Sequence, residues 1–149
     1  MKFRFRLEIL MKQRLGERDN AQRVYAEAQD NVQKQMNLIK RLYAQLDNAR
    51  LMCEQSENSP NAKSGGLLQI DDFIEGQKAR IKIAREKARD LMAIAEEKHA
   101  ILIEKMQAYK VLEKLKEQKK EEFRQEVKMK QVKEQDDLTV MRNARRGAR

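Results

Sequence analysis

The side chains that most often perform chemistry are few and isolated in this chain of 149 residues. His99 is the only histidine and has no second metal-ligand candidate at helical spacing. Adjacent acidic residues such as Glu96 and Glu97 point to different sides of a helix, so they cannot act as a paired acid and base. No phosphate-binding loop, zinc pattern or nucleophile elbow is present. The sequence therefore predicts a protein that is not an enzyme, with no catalytic, metal, cofactor or small-molecule substrate site.

The composition favours long helices over a compact fold. Charged residues make up 38% and hydrophobic residues 40% of the chain, with five glycines, one proline and no tryptophan. Sheets and enzyme pockets need more turn residues and a thicker core than this. The single cysteine, Cys53, cannot form an internal disulfide, and we therefore expect a reducing, cytosolic compartment. The longest apolar run near the start is Ile9 to Met11, which is too short for a signal peptide or a membrane-spanning helix.

One polar segment divides the chain. Residues 55–66 collect serine, asparagine, the only proline and a glycine pair, which is typical of a loop. We expect a single coiled-coil domain over 1–149, with helix 1 at about 3–54, the loop at about 55–66, helix 2 at about 67–140 and a basic tail at about 141–149. Asp71 or Asp72 is the expected cap of the second helix.

Two strips of mostly apolar residues recur at alternating spacings of three and four, which is the pattern of a coiled coil. The first strip consists of Tyr25, Ala28, Val32, Gln35, Ile39, Leu42, Leu46, Ala49 and Cys53. The second consists of Ile70, Ile74, Gln77, Ile81, Ala84, Ala88, Leu91 and Ala95. It then shifts by one residue to His99, Leu102, Met106, Tyr109 and Leu112. This shift predicts a stutter, which would locally unwind a supercoil.

The two strips predict the pairing of the helices. A narrow strip stabilises a helix only when it faces a partner, and antiparallel partners have residue numbers of constant sum. A sum of 123 places Ile39 opposite Ala84 and His99 near Tyr25, so that large residues mostly face small ones. The fold prediction is therefore all-α: an antiparallel two-helix coiled-coil hairpin, an elongated rod about 100 Å long with both termini at one end.

The charge is uneven along the chain. Residues 1–23 and 123–149 together account for +8 of the net +9, and the hairpin would bring them together. Such a positive end suits an acidic partner, for example a ring lumen or nucleic acid, while the alternative is a solvated terminus with an excess of lysine. Nucleic acid is disfavoured because the middle of the chain mixes Lys and Glu evenly and its aromatic residues are not interleaved with basic ones.

The opening MKFRFRLEILMKQR, the polar loop near residue 60, the DDFI segment and the late EEFRQEVKMKQVKEQDDLTVMR follow one another along the chain. In this order they resemble the flagellar FliJ family, small proteins of the bacterial flagellar type III export apparatus. The resemblance implies an antiparallel two-helix stalk, similar to the shaft of F-type ATPases, without hydrolytic activity of its own. It also implies a cytoplasmic protein that is peripherally associated with the inner membrane through the export apparatus.

The resemblance also implies partners and contact residues. The partners are the flagellar export ATPase hexamer and the cytoplasmic domain of the export gate protein, and whether export chaperones are added to them is left open. Phe73 matches the aromatic residue that family members use towards the gate, although Gln77, Arg80 and Ala84 depart from the pattern that follows it. The candidates for the ATPase contact, placed by their position at the positive end, are Phe5, Leu7, Arg14, Arg18, Lys128, Lys130 and Lys133.

Two other functions remain open from the residues alone. A hairpin chaperone of the prefoldin type would grip clients with its tips and would bind unfolded protein. A coiled coil associated with nucleic acid would bind it with a steep dependence on salt concentration.

Overall fold

The computed structural model describes residues 2–58 and 64–147, which form two helices, α1 (Glu8–Glu57) and α2 (Ser64–Gly147). α1 ends at Glu57, about three residues beyond the predicted end of helix 1, and the backbone N–H of Asn58 donates to the carbonyl of Glu54 in a closing turn (3.1 Å). The centre of the predicted loop, residues 59–63, lies outside the described residues.

α1 begins five residues later than its predicted start. Residues 2–5 are not helical, and half-buried side chains alternate with exposed ones: Phe3, Phe5 and Leu7 against Arg4 and Arg6. A period of two belongs to extended backbone and not to a helix. The helix then starts at Glu8, an acidic residue in its first turn, where the positive end of the helix dipole favours a carboxylate.

α2 is longer than predicted at both ends. It begins at Ser64, so Asp71 and Asp72 lie inside the helix and do not cap it. At its other end it continues to Gly147, through most of the segment expected to be a basic tail; residues 148 and 149 lie outside the described part. Alanine, methionine and arginine favour helix over this segment, and Arg145 and Arg146 complement the dipole in the last turn.

The chain divides into two units. The terminal unit is Met1–Arg18 with Glu104–Arg149, and the middle unit is Asp19–Ile103. Within each unit α1 and α2 run antiparallel. In the middle unit, residue numbers of hydrogen-bonded or stacked pairs sum to between 119, for Gln35 with Ala84, and 124, for Tyr25 with His99. In the terminal unit they sum to between 122 and 127. The all-α antiparallel two-helix hairpin is confirmed, and the predicted sum of 123 falls within both ranges.

The middle unit contains the hydrophobic core. Ile39 packs with Ala84 and Ala88, and Met36 and Leu42 pack against this cluster, so a large side chain from α1 fits against small ones from α2, as predicted. A close alanine–isoleucine fit allows two helices to approach without cavities. The core therefore specifies both the pairing and the register of the two helices.

Two buried glutamines interrupt the apolar seam. Gln77 is only 1% exposed, and its amide nitrogen donates to the carbonyl of Leu42 (3.0 Å) and to Oε1 of Gln45 (2.8 Å). Gln35 is also buried and donates to the carbonyl of Ala84 (2.9 Å). Each amide crosses from one helix to the other. Because an unpaired buried amide is costly, these bonds penalise any pairing that would break them.

The predicted stutter in α2 is wrong. Lys98 and Lys105 are half-buried, whereas His99 and Met106, the positions predicted for the seam, are both exposed. The alternating spacing of three and four therefore continues through Leu102 without interruption. A lysine can occupy such a position because its long aliphatic stem covers apolar surface while its ammonium group reaches water. Apolarity alone misidentified these two positions.

Candidate functional site

All of the formal net charge of the chain belongs to the terminal unit. Residues 1–18 and 104–149 contain 20 Lys and Arg against 11 Asp and Glu, whereas residues 19–103 contain 13 of each. The terminal unit therefore carries the whole +9, and the middle unit is neutral. A concentration of positive charge attracts acidic partners at long range.

Ion pairs join α1 to α2 in the terminal unit. Glu8 binds Lys116, with 2.9 Å between carboxylate oxygen and ammonium nitrogen, and Glu17 binds Lys105 at 3.6 Å. Glu17 also accepts a hydrogen bond from Arg14 within α1 (3.1 Å). In the middle unit, by contrast, the ion pairs Lys34–Asp30 and Lys78–Glu75 each lie within one helix. Glu8 and Glu17 thus join the two helices through charge in the terminal unit.

These contacts lower the pKa of both glutamates. The pKa of Glu8 lies below its ordinary value mainly because Lys116 donates a hydrogen bond to the carboxylate, with further attraction from Lys116 and Lys12. The pKa of Glu17 is lowered mainly by the hydrogen bond from Arg14, with Lys105 adding attraction. Both carboxylates are therefore ionised at neutral pH.

Aromatic rings complete the contacts of this unit. The Arg18 guanidinium lies 4.9 Å from the centre of the Tyr109 ring, which is cation–π geometry. Phe3 contacts Phe123, with ring centres 5.7 Å apart. Sequence reasoning placed neither these pairs nor the ion pairs of Glu8 and Glu17. The predicted sum of 123, had it been extended to charged and aromatic residues, would have brought each pair to within about one helical turn.

Four of the predicted ATPase-contact residues lie in the N-terminal part of the terminal unit. Phe5 and Leu7 are half-buried in the segment before α1, so they are only partly available to a partner. Arg14 and Arg18 are also half-buried and are engaged with Glu17 and with the Tyr109 ring. Both arginine side chains are thus already engaged by contacts within the chain.

The three predicted lysine contacts are exposed on α2. Lys128 and Lys133 border one shallow groove together with Met129 and Val132. Lys130 follows Lys128 by two residues, about 200° around the helix, and lies on another face. These lysines present positive charge around the helix and not as a single patch. They are the most accessible of the predicted contacts.

Phe73, the predicted gate contact, is in the middle unit and is 42% exposed. Two residues that follow it at helical spacing are unavailable, because Gln77 and Ala84 are buried in the seam. Arg80 is exposed and donates to Oε1 of Gln77 (3.1 Å). An apolar surface built on Phe73 therefore cannot continue through positions 77 and 84.

His99 and Cys53 have structural surroundings. The His99 ring lies 4.9 Å from the Tyr25 ring, as the register predicts, but it is exposed and not a core residue. Cys53 is half-buried, and partial burial together with the charges of Glu57 and Asp71 raises the pKa of its thiol. A raised pKa makes a thiol less reactive. No group of three or more potential metal-ligating residues is close enough to hold an ion within residues 2–58 and 64–147.

Comparison with known proteins identifies the family. Neither helix, over its described length, has a stretch long and apolar enough to span a membrane. No curated protein and no solved structure matches the chain. The family model described as flagellar FliJ protein matches residues 2–148, which is nearly the whole chain. The chain therefore belongs to the flagellar FliJ protein family, whose members serve flagellar protein export.

Proposed function

We propose that the protein is a non-enzymatic stalk of the flagellar export ATPase ring, which it joins to the export gate. One observation carries this proposal: the terminal unit has a net charge of +9, whereas the middle unit has none. A stalk inside a ring has to contact several subunits weakly, and exposed lysines provide contacts of this kind. In this role the protein acts on the cytoplasmic side of the inner membrane and is held there through the export apparatus.

Lys128, Lys130 and Lys133 are the proposed ATPase contacts with the greatest exposure. They are distributed around a single helix, so each can meet a different acidic surface of a surrounding ring. Phe5, Leu7, Arg14 and Arg18 lie in the same unit. We assign these four to the support of the contact surface, because their side chains are already half-buried within the chain.

The test measures ring assembly and ATP turnover of the cognate export ATPase with and without the chain. A variant with Lys128→Ala, Lys130→Ala and Lys133→Ala should lose most of the effect of the wild-type chain. The matched control replaces three exposed lysines of the middle unit, Lys40→Ala, Lys82→Ala and Lys87→Ala, and should retain it. If the wild-type chain changes neither assembly nor turnover, the proposal is wrong. If the control loses as much as the first variant, net charge alone explains the effect.

The proposed gate contact is Phe73. An exposed aromatic side chain is a common anchor of a protein interface, and its truncation typically weakens binding about tenfold or more. Phe73→Ala should therefore weaken binding to the cytoplasmic domain of the gate protein. Ile83→Ala is the control, because Ile83 is 67% exposed on the same helix and in the same unit. Equal affinities of the wild type and Phe73→Ala would remove this residue from the proposal.

Export chaperones are a further proposed partner. The observation in favour is that Leu51, Met52 and Leu68 are each more than half exposed, on the parts of α1 and α2 that flank the interhelical segment. Exposed apolar side chains of this kind often mark interaction surfaces. Replacing the three with serine should abolish the retention of export chaperones on the immobilised chain. If the variant retains the chaperones as well as the wild type does, this surface does not bind them.

A further inference from the structure

The seam of the terminal unit contains more positive than negative side chains. Arg14 and Arg18 of α1 and Lys105 and Lys116 of α2 are all half-buried in this unit. Half-buried cations repel one another more strongly than cations in open solvent, because less water separates them. α1 can pair with α2 here only where carboxylates offset the repulsion among these cations.

Two carboxylates provide that compensation. Glu8 and Glu17 are the only acidic residues in residues 1–18 of the sequence, and both bind a lysine of α2. Their partners Lys116 and Lys105 are only 26% and 35% exposed. The acidic residues Glu121 and Glu122, by contrast, bind neighbours on α2 itself, namely Arg124 and Lys119. Of these four glutamates, only Glu8 and Glu17 form ion pairs that join the two helices.

Fully buried apolar side chains are fewer in this unit than in the middle unit. Among the described residues, the middle unit has nine buried apolar side chains, and the terminal unit has one, Leu112. Since apolar burial supplies most of the stability of a helix pair, the middle unit is expected to stay paired under conditions that separate the helices of the terminal unit.

We propose that Glu8 and Glu17 are electrostatic clamps that hold residues 8–18 of α1 against α2. Loss of their charge opens the terminal unit while the middle unit stays paired. These contacts lie within the chain, so the clamps act whether or not the protein is a stalk.

The test is hydrogen–deuterium exchange of the full chain, resolved by peptide. The double variant Glu8→Gln, Glu17→Gln should exchange at least about tenfold faster than the wild type over residues 8–18 and 104–123. Exchange over residues 19–58 and 64–103 should change less than twofold. The control Glu121→Gln, Glu122→Gln makes the same change of charge in the same unit and should exchange like the wild type throughout.

Salt provides a readout that a purely structural role would not affect. At 150 mM NaCl charges are screened beyond about 8 Å, which weakens repulsion among the seam cations. Raising NaCl from 10 to 150 mM should therefore restore part of the lost protection in the double variant. Wild-type exchange in the double variant, equal opening of the control, or equal loss of protection in both units would overturn the proposal.

Discussion

The two units of the hairpin pair the same two helices by different means. In the middle unit Ile39 packs with Ala84 and Ala88, and the buried amides of Gln35 and Gln77 cross between the helices. In the terminal unit the helices are joined by ion pairs, an arginine–tyrosine contact and a phenylalanine pair. The middle unit is neutral, and the terminal unit carries the whole +9. The fully buried apolar core and the net positive charge are thus concentrated in different units.

The largest expected effect is the loss of a buried apolar side chain from the middle unit. Leu46 is 3% exposed, and Leu46→Ala should lower the free energy of unfolding by about 2–3 kcal/mol, because it removes apolar contact and leaves a cavity. Leu51→Ala, at a position that is 53% exposed, should change it by less than about 0.5 kcal/mol. Urea denaturation followed by circular dichroism measures both. Equal values would mean that the seam is not the source of stability.

The next effect concerns the buried glutamines. Gln77→Leu keeps nearly the same volume and replaces a polar group with an apolar one, so it should raise the free energy of unfolding by about 1 kcal/mol. The substitution should also make the register between α1 and α2 less specific, because the hydrogen bonds from the Gln77 amide to α1 are lost. Denaturation and light scattering after gel filtration report stability and association. A loss of stability greater than about 1 kcal/mol would show that the amide bonds outweigh the gain in apolar burial.

Two helix-interior glycines offer a matched pair of sites, one in each unit. A Cβ added at Gly16 or Gly76 meets nothing within 4 Å, so alanine at either position should stabilise its helix by about 0.5–1 kcal/mol. Gly76→Ala should raise the unfolding midpoint of the whole chain. Gly16→Ala should mainly slow hydrogen exchange in the terminal unit. If both variants shift the global midpoint equally, the two units unfold together.

The final prediction concerns acid, which removes the charge of Glu8 and Glu17. The pKa values of Glu8 and Glu17 are lowered from 4.5, so their contribution to stability is fully present above about pH 4.5 and is lost as the pH falls through the lower values of the folded chain. Exchange in the terminal unit should therefore rise below pH 4.5, after correction for the intrinsic rate. In the Glu8→Gln, Glu17→Gln variant this additional rise should be absent. An identical pH profile in the variant would contradict the assignment.

Sequence reasoning predicted the middle unit better than the terminal unit. Apolar residues at spacings of three and four define the seam over positions such as Ile39 and Ala84, and the register follows from their pairing. The seam positions of Lys98 and Lys105 were not predicted, because an apolar pattern cannot show that the aliphatic stem of a lysine lies on the seam. The predicted start of α1 is five residues too early, because the alternation of Phe3 and Phe5 with arginine indicates extended backbone.

The candidate site shows the same difference. Exposed lysines such as Lys128 could be proposed from their position alone. The pairing of Glu8 with Lys116 depends on which side chains meet across two helices. Charged residues in the sequence do not show which of them meet across the two helices until the helix register is known. The burial of Gln77 and Ala84 follows from the seam, and it limits the proposed gate surface around Phe73 to fewer residues than the family pattern implies.

The stalk proposal is tested most directly by a hydrogen-exchange footprint of the chain bound to the hexamer of its export ATPase. Exchange in the terminal unit should slow on binding, above all over residues 124–147, and exchange over residues 19–58 and 64–103 should not change. A footprint confined to the middle unit, or the absence of any footprint at concentrations where the ring is assembled, would contradict the proposal.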